Sequence, residues 1–214
     1  MRLQDKIEVE DVRFAYRAEP VLSGFCASFG RGEVVALTGR NGCGKTTLTR
    51  LIVGMLRPQA GRIRISGQDN ADMDLFEIGR RVGYMFQNPA CQLFCQTVFD
   101  EVAYGLRRMG LAEEAVGERV SALLDRFGLQ EERASYPLSL SGGQRRRLAL
   151  CAVLALGTAF IVLDEPTTGL DLPGRTQLGG DLRHLAEQNG CGIVLVSHER
   201  DFIRRYTDRE VEMP

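Results

Sequence analysis

The stretch Gly39-Arg40-Asn41-Gly42-Cys43-Gly44-Lys45-Thr46-Thr47 decides how the rest of this chain is read. It fits G-x-x-x-x-G-K-[ST], a glycine-rich phosphate-binding loop. Val34-Val35-Ala36-Leu37 before it is a short apolar run that reads as a buried strand, and Leu48, Leu51, Ile52, Met55 and Leu56 after it recur on one face of a helix. Strand, glycine-rich turn and helix are the context that the pattern requires. Gly39, Gly42 and Gly44 let the backbone turn its N–H groups inward, and the helix N-terminus adds partial positive charge. In that pattern Lys45 reaches the β- and γ-phosphates of a nucleotide and the Thr46 hydroxyl ligates Mg²⁺. A glycine-rich turn that binds nothing is the weaker reading, since every fixed position is matched in the right context.

Composition sets the bounds. With 214 residues, 44% hydrophobic and 26% charged, the chain suits one globular domain, or one carrying a sizeable insertion. A formal net charge of −1 supplies no basic field, so nucleic acid is not expected as a partner. Cys26, Cys43, Cys91, Cys95, Cys151 and Cys191 form no C-x-x-C pair, and Cys91 and Cys95 lack the neighbours for a zinc site; buried or reduced cytosolic thiols are expected. Residues 1–6 carry no apolar signal segment. Leu148 to Leu163, nearly all apolar behind Arg145-Arg146-Arg147, imitates a membrane span. It falls short of the roughly 20 residues a bilayer needs, and Gly157-Thr158 interrupts it. A core helix followed by a buried strand is expected instead.

Val12, Phe14 and Tyr16 alternate as a half-buried strand, ahead of a polar break at Arg17-Ala18-Glu19-Pro20. Tyr16 is either an edge-strand aromatic or a stacking platform for a ligand. Val21 to Phe29 and Ile63-Arg64-Ile65 read as further strands, with Pro58 and Gly61 ending the helix after the loop. Val82 to Phe86 is another strand with Gln87 past its end; residues 88–157 then turn helical, with Val116, Val120, Leu123, Leu124 and Phe127 in register and Gly128 as the stop. Phe160 to Leu163 ends in Asp164-Glu165, and Ile193 to Val196 ends in Ser197-His198, with a helix closed by Gly190 between them. His184 within that helix reads as structural.

Four strands thus deliver polar residues just past their carboxyl ends: the glycine-rich loop, Gln87, Asp164-Glu165 and His198. In open parallel α/β sheets ligands sit in that crevice. Asp164 is placed to help hold Mg²⁺. Glu165, on the opposite side of an extended chain, is free to orient or deprotonate an attacking water. Gln87 offers an amide to metal or water, and His198 a hydrogen bond to a γ-phosphate. A second glycine-rich loop, Leu140-Ser141-Gly142-Gly143-Gln144, opens another helix and is also built for an anion, although Ser141 could simply cap the helix. Either one chain binds two anions or two chains share each nucleotide.

Gly39 to Thr46, Gln87, Leu140 to Gln144, Phe160 to Glu165, Thr168-Gly169-Leu170-Asp171 and His198 stand in the order found in ATP-binding cassette (ABC) ATPases, which the chain resembles over nearly its whole length. The resemblance implies an α/β P-loop NTPase fold: a mostly parallel sheet core, an N-terminal antiparallel β portion and an inserted helical subdomain. Residues 1–87 and 158–214 would form the core and residues 88–157 the insertion of a single domain. It implies ATP and Mg²⁺ as ligands, with Gly39, Asn41, Gly42, Cys43, Gly44, Lys45, Thr46 and Thr47 around the phosphates. Tyr16 would stack on adenine, Thr46, Gln87 and Asp164 would serve the metal, and Glu165 would be the general base. It also implies a head-to-tail homo- or heterodimer in which Ser141, Gly142, Gly143 and Gln144 of one subunit close on the ATP of the other, with Asp171 at the interface.

Phe86 to Phe94 and Thr97 to Gly105 resemble more closely the ATPases of energy-coupling-factor importers, of the cobalt and nickel or vitamin type. There this segment receives coupling helices from a membrane subunit, and Leu93, Phe94, Val98 and Phe99 suit such a groove or an insertion core. The resemblance places the protein on the cytoplasmic face of a membrane; the alternative is a soluble, non-transport ABC ATPase, whose usual coiled coil, zinc motifs or tandem cassette are not seen. Two positions depart from the pattern. Cys43 replaces the usual Ser or Ala and is expected to be a reactive thiol. The chain also stops at Pro214, where those ATPases generally continue with more strand and a dimerising extension, so no stable dimer is expected without ATP or the membrane subunit.

Overall fold

The alternation around Val12 belongs to a long hairpin in the computed structural model, which describes residues 5–214. The reading of a missing signal segment rests on residues 1–6, of which residues 1–4 lie outside the described residues. β1 (Lys6–Tyr16) and β2 (Glu19–Gly30) are antiparallel, and Tyr16 faces Glu19 across the turn. The polar break is therefore only Arg17-Ala18: Arg17 sits at φ +55, so the chain reverses within two residues and Pro20 already pairs with Ala15.

β3 (Val34–Thr38) is buried throughout and leads through the glycine-rich loop into α1 (Lys45–Ile52). The sequence places Met55 and Leu56 on that helix, but it stops at Ile52. The buried Asn70 amide donates to the Leu51 and Ile52 carbonyls, at 2.8 and 3.1 Å, and Gly54 at φ +73 turns the chain away. Those two bonds satisfy acceptors that a helix end would otherwise leave orphaned. β4 (Ala60–Ile65) pairs with β1, and β5 (Gln68–Asp69) completes an antiparallel sheet of order β2-β1-β4-β5. α2 (Leu75–Gly79), closed by an Asp74–Glu77 capping box, precedes β6 (Val82–Met85).

The helical texture expected from residue 88 begins in earnest only at α3 (Val98–Arg108), capped by Thr97; a single turn at Pro89–Cys91 precedes it. α4 (Glu113–Arg126) buries Val116, Val120 and Leu124, while Phe127 falls just past its end and Gly128 at φ +60 stops it. α5 (Gly142–Ala155) and β7 (Phe160–Asp164) account for the apolar stretch after Arg147. α6 (Leu172–Asn189) ends at Gly190, φ +62, and β8 (Gly192–Val196), α7 (Arg200–Tyr206) and β9 (Arg209–Glu212) follow. Among the described residues no helix is long and apolar enough to cross a membrane.

The second sheet has the order β6-β7-β8-β3-β9, and the pairs β7–β8, β8–β3 and β3–β9 are parallel. The sequence reading names no strand after His198, and the structure adds β9 there. Arg209, Glu210 and Glu212 hide it from an apolar pattern, yet it runs in register with Val35 to Thr38 at the sheet edge, where charged side chains are tolerated.

Two compact units divide the chain. The first comprises residues up to Tyr84 with 158–167 and 171–214; its core packs Ile7, Phe29, Leu48, Leu51, Phe160 and Val194. The second comprises residues 85–157 with 168–170 and holds α3, α4 and α5, packed through Val102, Leu106, Val120 and Leu148.

Candidate functional site

Burial of every residue of β3 fixes where the loop after it begins. Gly39, Gly42 and Gly44 take φ +139, +83 and +100, conformations that L side chains avoid. Gly44 is required twice over, because a Cβ there would also meet Val21 Cγ1 at 2.8 Å. Lys45, 7% exposed, curls its ammonium back onto the Gly39 and Arg40 carbonyls, both at 2.9 Å, and lies 3.8 Å from Cys43 Sγ. No acidic side chain occupies the first turn of α1, so its free N–H groups and the Lys45 charge reinforce one another toward an anion. Thr47 is buried and Asn41 is exposed.

The Thr46 hydroxyl donates to Asp164 Oδ2 at 2.8 Å. Asp164 is 1% exposed, and its Oδ1 has no hydrogen-bond partner. Burial holds its carboxyl above the ordinary range, against the pull of the Thr46 hydrogen bond and of Arg50 and Lys45. A buried carboxylate with one oxygen unpaired beside a hydroxyl suits a hard divalent cation, whose remaining ligands would be phosphate oxygens and water. The residues present therefore fit Mg²⁺.

Glu165 departs from the expected geometry. It is not extended but left-handed, at φ +55, so the strand alternation that was to separate it from Asp164 does not apply. Its N–H donates to the Val196 carbonyl at 3.0 Å, which holds the strained turn in place. Glu165 Oε1 lies 3.2 Å from His198 Nε2. Burial raises the Glu165 carboxyl above its ordinary value; His198 opposes that and Asp164 adds to it. A cavity of about 260 Å³ opens beside them, lined by Gly39, Arg40, His198, Arg200 and Glu212 among others.

Sequence reasoning missed two neighbours. Tyr84 faces Thr49 across 3.2 Å, its hydroxyl pushed up by burial, and Arg50 bears on Asp164 from α1. Neither carries a motif, and only the packing of β6 against α1 brings Tyr84 in.

Lys45, Thr46, Asp164, Glu165 and His198 thus share one end of the second sheet. Tyr16 ends β1 on the hairpin that packs on Gly44, 43% exposed and edge-to-face with Phe14 at 4.9 Å. Gln87 lies in the second unit, where its carbonyl accepts from Arg146 at 3.1 Å. Ser141 caps α5 in that unit and forms a capping box with Gln144; Gly142 and Gly143 start the helix. Asp171 caps α6 through Gly174 N–H, and His184 is exposed.

Comparison with known proteins gives this arrangement a family. The sequence matches the family described as "ABC transporter" over residues 22–168. A Pyrococcus furiosus protein named "Putative ABC transporter ATP-binding protein" is 41% identical over 204 residues, 95% of this chain and 78% of its own. A solved structure described as the ATP binding subunit of an ABC transporter superposes with a TM-score of 0.88 at 29% identity, covering 97% of this chain and 85% of that one. CbiO1 from Clostridium perfringens, described as part of the ABC transporter complex CbiONQ, gives 0.83 at 31% identity, covering 97% and 84%. The expected P-loop NTPase fold, with its parallel core sheet and antiparallel β portion, is the fold these proteins share. The chain belongs to the ABC transporter family as an ATP-binding cassette ATPase.

Proposed function

We propose that this protein is the ATP-hydrolysing subunit of a membrane importer of the energy-coupling-factor type, carrying a metal ion or a vitamin. The observation that carries the catalytic part is the cluster in which Thr46 bonds Asp164 while Glu165 sits against His198. The likeness to CbiO1, with its stated place in the CbiONQ complex, supports the importer type.

In this reading the loop from Gly39 to Thr47 wraps the phosphates, and Lys45 leaves the Gly39 and Arg40 carbonyls to neutralise the β- and γ-phosphates. Tyr16 stacks on adenine. Thr46 and Asp164 would hold Mg²⁺, which would supply charge neutralisation to the phosphate oxygens. Glu165 accepts a proton from the water that attacks the γ-phosphorus, and the bond to the departing ADP oxygen breaks; its raised carboxyl makes it the stronger base. His198 orients Glu165 and donates to the γ-phosphate. Ser141, Gly142, Gly143 and Gln144 of a second subunit, the same chain or a paralogue, complete each site, and ATP binding closes the pair. Phe94, 64% exposed and edge-to-face with Tyr104 at 4.9 Å, supports a docking face around residues 88–105 for a membrane subunit on the cytoplasmic side.

The deciding experiment is size-exclusion chromatography of Glu165→Gln with and without ATP–Mg²⁺, beside phosphate release by the unaltered protein. An ATP-dependent shift from monomer to dimer with turnover abolished supports the shared site. A monomer that still hydrolyses ATP overturns it.

A further inference from the structure

The capping box at the start of α5 uses only part of Gln144. Its Oε1 accepts from Ser141 N–H at 3.0 Å, and its own backbone N–H donates to Ser141 Oγ at 3.3 Å. The remaining amide N–H group donates to Glu132 Oε1 at 2.5 Å. This third contact settles the orientation of the amide. A carboxylate only accepts, so it holds the NH₂ group toward Glu132 and the oxygen toward Ser141; the flipped amide would turn an acceptor onto an acceptor. With Ser141 Oγ already accepting from Gln144, the single hydroxyl proton of Ser141 is left to donate outward.

Glu132 is itself held in place. Its carbonyl accepts from Ser135 N–H at 2.8 Å, and the next residues reach α3. The Arg133 and Ser135 carbonyls accept from Phe99 and Val98 N–H, both at 3.0 Å, taking two of the donors that the helix leaves free at its start. The Arg133 guanidinium stands 4.1 Å over the Phe99 ring and also donates to Ser121 at 2.7 Å. The turn that carries Glu132 is therefore hydrogen-bonded to the first residues of α3.

We propose that Glu132 is a positioning residue for the second half of the nucleotide site: its carboxylate sets the Gln144 amide, and through it the Ser141 hydroxyl, in register with the N-terminus of α3. The proposal rests on the reading that Ser141 to Gln144 close on the ATP of a partner subunit, and it adds the residue that keeps that loop ready to do so. Glu132 belongs to no glycine-rich motif, and nothing in its sequence neighbourhood marks it.

The test measures the ATP concentration for half-maximal dimerisation in the Glu165→Gln protein. Adding Glu132→Ala raises it about tenfold, the loss of one hydrogen bond to a charged acceptor, and Glu132→Gln, whose carbonyl still accepts, restores it to within about twofold. Binding of a fluorescent ATP analogue to the isolated subunit stays unchanged, because the glycine-rich loop is untouched. In a Gln144→Ala background Glu132→Ala adds nothing further. Unaltered dimerisation by Glu132→Ala, or an equal loss with and without Gln144, overturns the proposal even if the protein folds less well. If the Glu165→Gln parent itself does not dimerise with ATP, the shared-site reading falls and this proposal falls with it.

Discussion

Thr46 Oγ1 and Asp164 Oδ2 are joined by a 2.8 Å hydrogen bond across 118 residues of sequence, tying the start of α1 to the end of β7. The bond satisfies one carboxylate oxygen and leaves Oδ1 buried and unpaired. The ionised carboxylate is thus under-solvated, and burial raises its pKa in the folded state. A raised folded-state value means that the native protein holds this proton more tightly than the unfolded chain. Stability is therefore lost as pH rises from the unfolded value, about 3.9, through the folded one, and stays lost at neutral pH. Asp164→Asn should raise the melting temperature at pH 7 by about 2–4 °C without nucleotide, while abolishing the stabilisation that ATP–Mg²⁺ gives the unaltered protein. Differential scanning calorimetry with and without ligand checks both halves.

Glu165 carries the same sign into catalysis. Only its ionised form accepts a proton, so turnover should fall on acidification at a pH above the ordinary glutamate value of about 4.3. His198 opposes the shift, so His198→Ala should move the acid limb of the kcat profile to still higher pH. Glu165→Gln should cut kcat by about 10²- to 10⁴-fold at any pH. An acid limb that His198→Ala leaves in place would count against this pairing.

Gly44 combines φ +100 with a 2.8 Å approach of its missing Cβ to Val21. Gly44→Ala should cost about 2 kcal/mol in a urea unfolding titration, since the left-handed strain remains even if the Val21 and Leu22 side chains shift to admit the methyl. Gly42, with the same sign of φ but open space around it, should cost less than Gly44 when replaced by Ala.

Cysteine reactivity separates the loop from the core. Burial pushes the Cys191 thiol up to about 11, and burial together with Glu101 does the same to Cys95. N-ethylmaleimide at pH 7.5 should therefore spare both while labelling Cys43 and the exposed Cys26 and Cys91. Saturating ATP should protect Cys43 alone, and with it the activity. Equal inactivation rates with and without nucleotide would remove Cys43 from the site.

Much of this protein is fixed by local sequence. The loop from Gly39 to Thr47 is legible because phosphate binding needs glycine, lysine and hydroxyl at set spacings, and buried strands such as Phe160 to Leu163 need unbroken apolar runs. The convergence of that loop with Asp164, Glu165 and His198 was legible from the strand ends, whereas features set by one particular distant partner were not. α1 ends at Ile52 because Asn70 reaches its last carbonyls, and β9 exists because β3 offers an edge to charged residues. Glu165 leaves the extended region because Val196 binds its N–H, and Glu132 meets Gln144 because a turn bonded to α3 brings it there. A periodicity describes one segment against an anonymous core, whereas these features are set by particular donors and acceptors that only the folded chain brings within hydrogen-bonding distance.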